Sequence, residues 1–239
     1  MKTVPGPSAR PVLLVHGTVG SAAIWSRVVA KLAPGTTTAL DLPGFGANTS
    51  ILHDPVEVVV GRVDGACILV GNGVGSLIAA RAALDLRESV RALVLTGPVG
   101  IGDAGHARLA WLSHHRAGAA LLRIAGRSFG RRKFLSDQLA DPDADPDAAA
   151  ILLDALRRAR GFHVLARLNR PESLEGLRDL RCPVTVLWGD RDGVLPVTRA
   201  DEFMTHLPPH ARLEIVPGAG HALPLERPDL VARAIAELA

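Results

Sequence analysis

The sequence predicts an α/β domain built on a mostly parallel, doubly wound sheet. Three observations predict it. Continuous apolar runs such as Pro11-Val12-Leu13-Leu14-Val15 read as strands covered on both faces, not as half-exposed alternating ones. Helical patterns, amphipathic or alanine-rich, separate these runs at the spacing of crossover connections. The 239 residues, 48% hydrophobic and 21% charged, suit one such domain with a large core and a modest insertion.

The run 11–15 is the first strand; it ends in His16-Gly17-Thr18-Val19-Gly20, and a helix carrying Trp25 follows. Thr36 to Leu40 is the second strand. It closes in Asp41-Leu42-Pro43-Gly44-Phe45-Gly46, where Asp41 reads as a structural hydrogen-bond acceptor. The third strand, Ile68-Leu69-Val70, turns sharply through Gly71-Asn72-Gly73-Val74-Gly75 into an alanine-rich helix reaching about Leu86. Arg91 to Thr96 is the fourth strand. From about residue 100 to 180 the character changes, and helical apolar patterns replace strand runs. Charge is segregated there: Arg116 to Lys133 holds no acid, and Asp137 to Asp154 holds no base. The two faces are expected to meet solvent and each other. Pro183 to Trp188 returns to the sheet and runs into Gly189-Asp190-Arg191-Asp192. The last strand, Ala211 to Val216, precedes Gly218-Ala219-Gly220-His221, and Leu230 to Leu238 supplies a closing helix.

Composition excludes several classes of function. The net charge of +3 is carried almost wholly by arginine, and aromatic residues are 3% with no tyrosine, so the interleaved surface of a nucleic-acid binder is missing. No apolar run approaches the roughly 18 residues of a membrane span, and the first ten residues lack a signal-peptide core, which makes the cytoplasm the expected location. Two cysteines, Cys67 and Cys182, each precede a core strand and read as buried thiols; no metal site is expected. Oligomeric state leaves no signal.

Four of these stretches, in this order, resemble the motifs of the α/β-hydrolase family. His16-Gly17 after the first strand is similar to its oxyanion loop, and Gly71-Asn72-Gly73-Val74-Gly75 to its nucleophile elbow, Gly-x-Ser-x-Gly. The turn ending in Asp192 resembles its acid turn, with Asp190 the alternative. Gly220-His221 followed by Glu226-Arg227-Pro228 resembles its Gly-His and Glu-x-Pro ending. The resemblance implies a core of residues 1–100 and 181–239, with residues 101–180 a helical lid inserted after the sixth family strand. It further implies that Asp192 and His221 are catalytic, and that the Thr18 and Val74 amides form the oxyanion hole. His16, Asn72 and Trp111 are expected to contact a small-molecule substrate.

The departure is at the elbow, where Gly73 stands in the serine position. No hydroxyl, thiol or carboxylate is left there to form a covalent intermediate. Asn72 is expected to point away from the reacting side, and Ser76 lies about one helical turn on. What remains is a histidine base with a carboxylate partner and two backbone donors, a set that works without a cofactor. The reading is therefore an enzyme acting on a small carbonyl-bearing compound, as a lyase, isomerase, cyclase or water-mediated hydrolase. Asn72 in a Gly-Asn-x-x-Gly setting resembles the branch that cleaves carbon–carbon bonds of diketone-like substrates. Two alternatives stand beside it: a ligand-binding homologue without chemistry, and a serine hydrolase whose elbow serine was replaced.

Overall fold

The computed structural model describes residues 11–18, 20–50, 53–101, 131–161, 165 and 168–238. Trp111, Val19 and most of the basic stretch from Arg116 lie outside the described residues. Six strands form one sheet: β1 (Val12–Val15), β2 (Thr37–Leu40), β3 (Cys67–Asn72), β4 (Val90–Thr96), β5 (Val184–Gly189) and β6 (Arg212–Val216). Their order is β2-β1-β3-β4-β5-β6, and every neighbouring pair is parallel. The inner strands β1, β3, β4 and β5 fall on the largely apolar runs, while the edge strands β2 and β6 carry Thr37, Thr38, Arg212 and Glu214. The described helices are α1 (Ser26–Val29), α2 (Pro55–Val60), α3 (Val74–Leu86), α4 (Arg131–Gln138), α5 (Pro146–Arg158), α6 (Ala200–Met204), α7 (Leu223–Glu226) and α8 (Pro228–Ala236).

Because successive strand residues point to opposite faces, each continuous apolar run feeds two cores. Leu13, Val15, Leu69, Leu93 and Leu95 pack with Val59, Leu77, Ile78 and Phe203 of α2, α3 and α6. On the other face, Leu14, Ile68, Val70 and Val94 pack with Trp25, Val28, Val231 and Ile235 from the 22–29 segment and α8. The described part of residues 101–180 enters both cores. Leu152 of α5 joins the second, and Leu174 and Leu177 join the first. α5 is placed by its cap: Asp145 accepts the Ala148 N–H, Pro146 starts the helix, and the Arg27 guanidinium forks onto the Asp145 carboxylate. Beside that helix, Arg132 from the end of the basic stretch pairs with Asp143 of the acidic loop. No described helix is long and apolar enough to cross a membrane.

The order of the strands fixes where a site can form. The chain leaves β1 for β2 on one side and reaches β3 on the other. That reversal opens a crevice beyond the carboxyl ends of β1 and β3. Both ends carry glycine turns. The start of α3 is pressed so closely on the sheet that a Cβ on Gly75 would lie 2.3 Å from the Val15 carbonyl oxygen and 2.6 Å from that of His16. A Cβ on Gly71 would lie 2.3 Å from the Gly75 oxygen. These contacts are backbone on backbone, so no rotamer change relieves them.

Gly75→Ala should therefore lose about 3 kcal/mol or more in urea unfolding, the upper end of overpacking costs. Gly35→Ala, at φ +80 with open space around its Cβ, should lose only about 1 kcal/mol from backbone strain. Equal losses would mean that the close approach of α3 to β1 is not a constraint.

Candidate active site

The third strand runs straight into the elbow. Gly73 has φ +57 and ψ −125, a backbone conformation that costs a side-chain-bearing residue energy and glycine almost nothing. Its N–H donates to the Thr96 oxygen at 3.0 Å, so the turn is anchored to β4. A Cβ built on Gly73 would stand 2.9 Å from Nε2 of His221 and 3.7 Å from Cα of Gly17. The residue in the serine position therefore faces the histidine, with the loop after β1 beside it. Val74, the next residue, opens α3, where backbone N–H groups have no intrahelical acceptor. Thr18 sits in the turn directly after Gly17.

His221 lies in the loop after β6 and is 5% exposed. Its Nδ1 is 2.8 Å from Oδ2 of Asp192, which comes from the loop after β5. The other oxygen of Asp192 accepts the N–H groups of Val194 and Leu195 at 2.8 and 2.9 Å. Three partners fix this carboxylate, so the imidazole has one orientation, with Nε2 turned to the elbow. Asp190, the alternative acid, instead accepts the Gly218 N–H at 2.7 Å and only shapes the turn. Ser76 is no displaced nucleophile: it is fully buried and its hydroxyl donates to the Gly71 oxygen. Cys67 begins β3, at the end of the strand away from the elbow, and burial pushes its thiol up to about 11.

Two residues expected to contact substrate make bonds within the protein. The Leu42 N–H donates to Nε2 of His16 at 3.0 Å, so that nitrogen carries no proton. Nδ1 then holds the proton and donates to the Gly17 oxygen at 2.8 Å. The ring also stands edge-on to Phe45, 5.1 Å between centroids, and is fully buried. With both nitrogens spent, His16 ties the loop after β1 to the turn after β2. Asn72 also bonds within the protein. Its amide nitrogen lies within hydrogen-bond distance of the Thr96 oxygen, the Thr96 hydroxyl and the His221 backbone oxygen. It binds the elbow strand to the histidine loop. Asp41 accepts from Ala22 and Ala47, the structural role expected of it.

Some of the site was not singled out from the sequence. Gly97, at φ +48, packs so that a Cβ would lie 3.0 Å from Nδ1 of His221 and 3.2 Å from Asp192 Oδ2. Its signal was the Gly-Pro at the end of β4. Glu226 accepts backbone N–H groups from Gly220 and Ala140. Its signal was the Glu-x-Pro pattern. Among the described residues no group of three or more histidines, cysteines and carboxylates could hold a metal ion.

Burial of His16 lowers its pKa from 6.5 to about 4, against the raising effects of its Gly17 bond and of Asp41. The folded state then refuses a proton that the unfolded chain accepts. Its contribution is complete above pH 6.5 and is lost as pH falls toward 4. Unfolding curves of the parent and His16→Gln, measured between pH 7 and 4, should converge by about 3 kcal/mol over that window. Parallel curves would place the proton on His16 in the folded state.

Comparison with known proteins agrees with this architecture. The chain is 26% identical over 232 residues to a pimeloyl-[acyl-carrier protein] methyl ester esterase of Nitrosomonas europaea, covering 91% of each chain. It is 26% identical over 238 residues to the dihydrolipoyllysine-residue acetyltransferase component of an acetoin cleaving system from Cupriavidus necator. That match takes 93% of the chain but spans 61% of the longer protein. Among solved structures, a thermophilic esterase from Thermogutta terrifontis superposes with a TM-score of 0.78 at 23% identity, covering 96% of this chain and 89% of that one. The sequence model of the alpha/beta hydrolase family matches residues 12–234, and the chain belongs to that family.

Proposed function

We propose that this alpha/beta hydrolase acts on a small carbonyl-bearing substrate by acid–base and oxyanion catalysis, without a covalent intermediate. One observation carries the reading. His221 Nε2 comes within 2.9 Å of the place where the elbow residue would bear its side chain, and that residue is glycine. The base is aimed at the reacting position, and the nucleophile is absent from it.

In the hydrolytic form, Nε2 takes a proton from water, whose oxygen adds to the ester carbonyl carbon. The amides of Thr18 and Val74 hold the resulting oxyanion, a role worth about 3 kcal/mol per donor. As the carbonyl re-forms, the alkoxide leaves and takes the proton back from the imidazolium. Asp192 stabilises that imidazolium through Nδ1. The ester-cleaving relative supports this form. The same groups also serve enol–keto proton transfer: Nε2 moves the proton and the hole holds the enolate. Lyase, isomerase and cyclase chemistry enter by that route. We place the substrate in the crevice beyond the carboxyl ends of the strands, beside Gly73 and His221.

The test is a panel of activated esters and enolisable ketones given to the parent protein and three variants. His221→Ala should lower kcat/KM by about 10²–10⁴, the usual worth of a positioned base. Gly73→Ala adds a Cβ and no hydroxyl; it should push the imidazole away and cost about tenfold or more in kcat. Gly73→Ser should gain esterase activity with an acyl-enzyme. A parent inert on the whole panel, whose ligand binding is unchanged by His221→Ala, would instead support a binding protein.

A further inference from the structure

Both loops of the dyad are bonded to one short segment, the end of α4 and the two residues after it. The Asp137 oxygen accepts the N–H of Gly193, next to Asp192, at 3.2 Å. The Gln138 oxygen accepts the N–H of Ala222, next to His221, at 2.8 Å. Both loops meet the segment through glycine. A Cβ on Gly193 would lie 2.7 Å from Cα of Asp137, and one on Gly220 would lie 2.7 Å from the Ala140 nitrogen. One residue then crosses between the loop and the segment. Glu226 accepts the Ala140 N–H on Oε1 and the Gly220 N–H on Oε2, each at 2.8 Å.

From this bracket we infer that Glu226 is a positioning residue for His221, acting through the backbone of Gly220 to hold the imidazole on Asp192. The inference rests on the reading of His221 as the base. A carboxylate suits the task because it accepts with both oxygens, whereas an amide accepts with one and presents a donor on the other side. The charged groups facing Glu226 are Arg227 and Asp192. The Lys133–Asp137 pair closes the end of α4. Burial pushes the Glu226 carboxyl above its ordinary range, while the two amides and Arg227 pull it back. A purely structural staple would hold the fold together and leave the imidazole unaffected.

The decisive experiment is NMR of the histidine rings in the full chain, parent against Glu226→Gln, which needs no substrate. The Nδ1–H signal of His221 should be sharp and downfield in the parent. In Glu226→Gln it should broaden or move upfield, and kcat should fall about tenfold with KM little changed. If the melting temperature drops but the His221 signal overlays that of the parent, Glu226 is only a staple and the inference fails. Should Glu226→Gln not fold, Glu226→Asp keeps the charge but shortens the reach to Gly220 and Ala140, and an unchanged Nδ1–H signal there overturns it equally. These signals are independent of turnover. An inert parent with a perturbed Nδ1–H in the variant would sink the proposed reaction and leave the positioning role standing.

Discussion

The backbone of α3 touches the backbones of β1 and β3 with no side chain between them, and the site is built around that contact. Gly71 and Gly75 permit it because any Cβ would fall well inside a carbonyl oxygen. With the helix seated this low, the elbow projects beyond the sheet and the loop after β1 lies against it. The Gly17 backbone then reaches the side of Gly73 that faces His221. A looser helix would leave the same residues in the chain and no common point for them to face.

Around this rigid corner the remaining parts are positioned by backbone bonds more than by side-chain charge. Asn72 ties the elbow to the His221 backbone, His16 ties the loop after β1 to the turn after β2, and Asp192 is held by two amides. Such fixed donors and acceptors need little reorganisation during reaction, which is where preorganised sites gain most. The glycine at 73 fits the same economy. It relieves the strain of the elbow conformation and gives the imidazole room to approach.

The inner strands of the sheet were legible in the sequence because covered parallel strands are written as largely apolar runs. The pairing of Asp192 with His221 was legible from turn motifs at strand ends. The roles of His16 and Asn72 were not. A histidine or asparagine beside a glycine turn looks the same whether it faces a ligand or a backbone oxygen. Only the register of β2 against β1, and of β4 against β3, decides which. Glu226 was legible as part of the Glu-x-Pro ending, but what it holds was not. Its partners Gly220 and Ala140 lie 6 and 86 residues away, and no local pattern announces a contact of the second kind. Described residues of the stretch from 101 to 180 enter both cores, and apolar helix patterns do not say which layer they join.

The central claim is that carbonyl chemistry proceeds here with a base and an oxyanion hole but no covalent step. It is tested most directly by intact-mass spectrometry of the parent protein, acid-quenched within milliseconds of mixing with an ester it turns over. The account predicts the unmodified mass at every time point while product accumulates. A transient mass increase equal to the acyl group would contradict it and show that a nucleophile elsewhere in the chain does the work assigned to water.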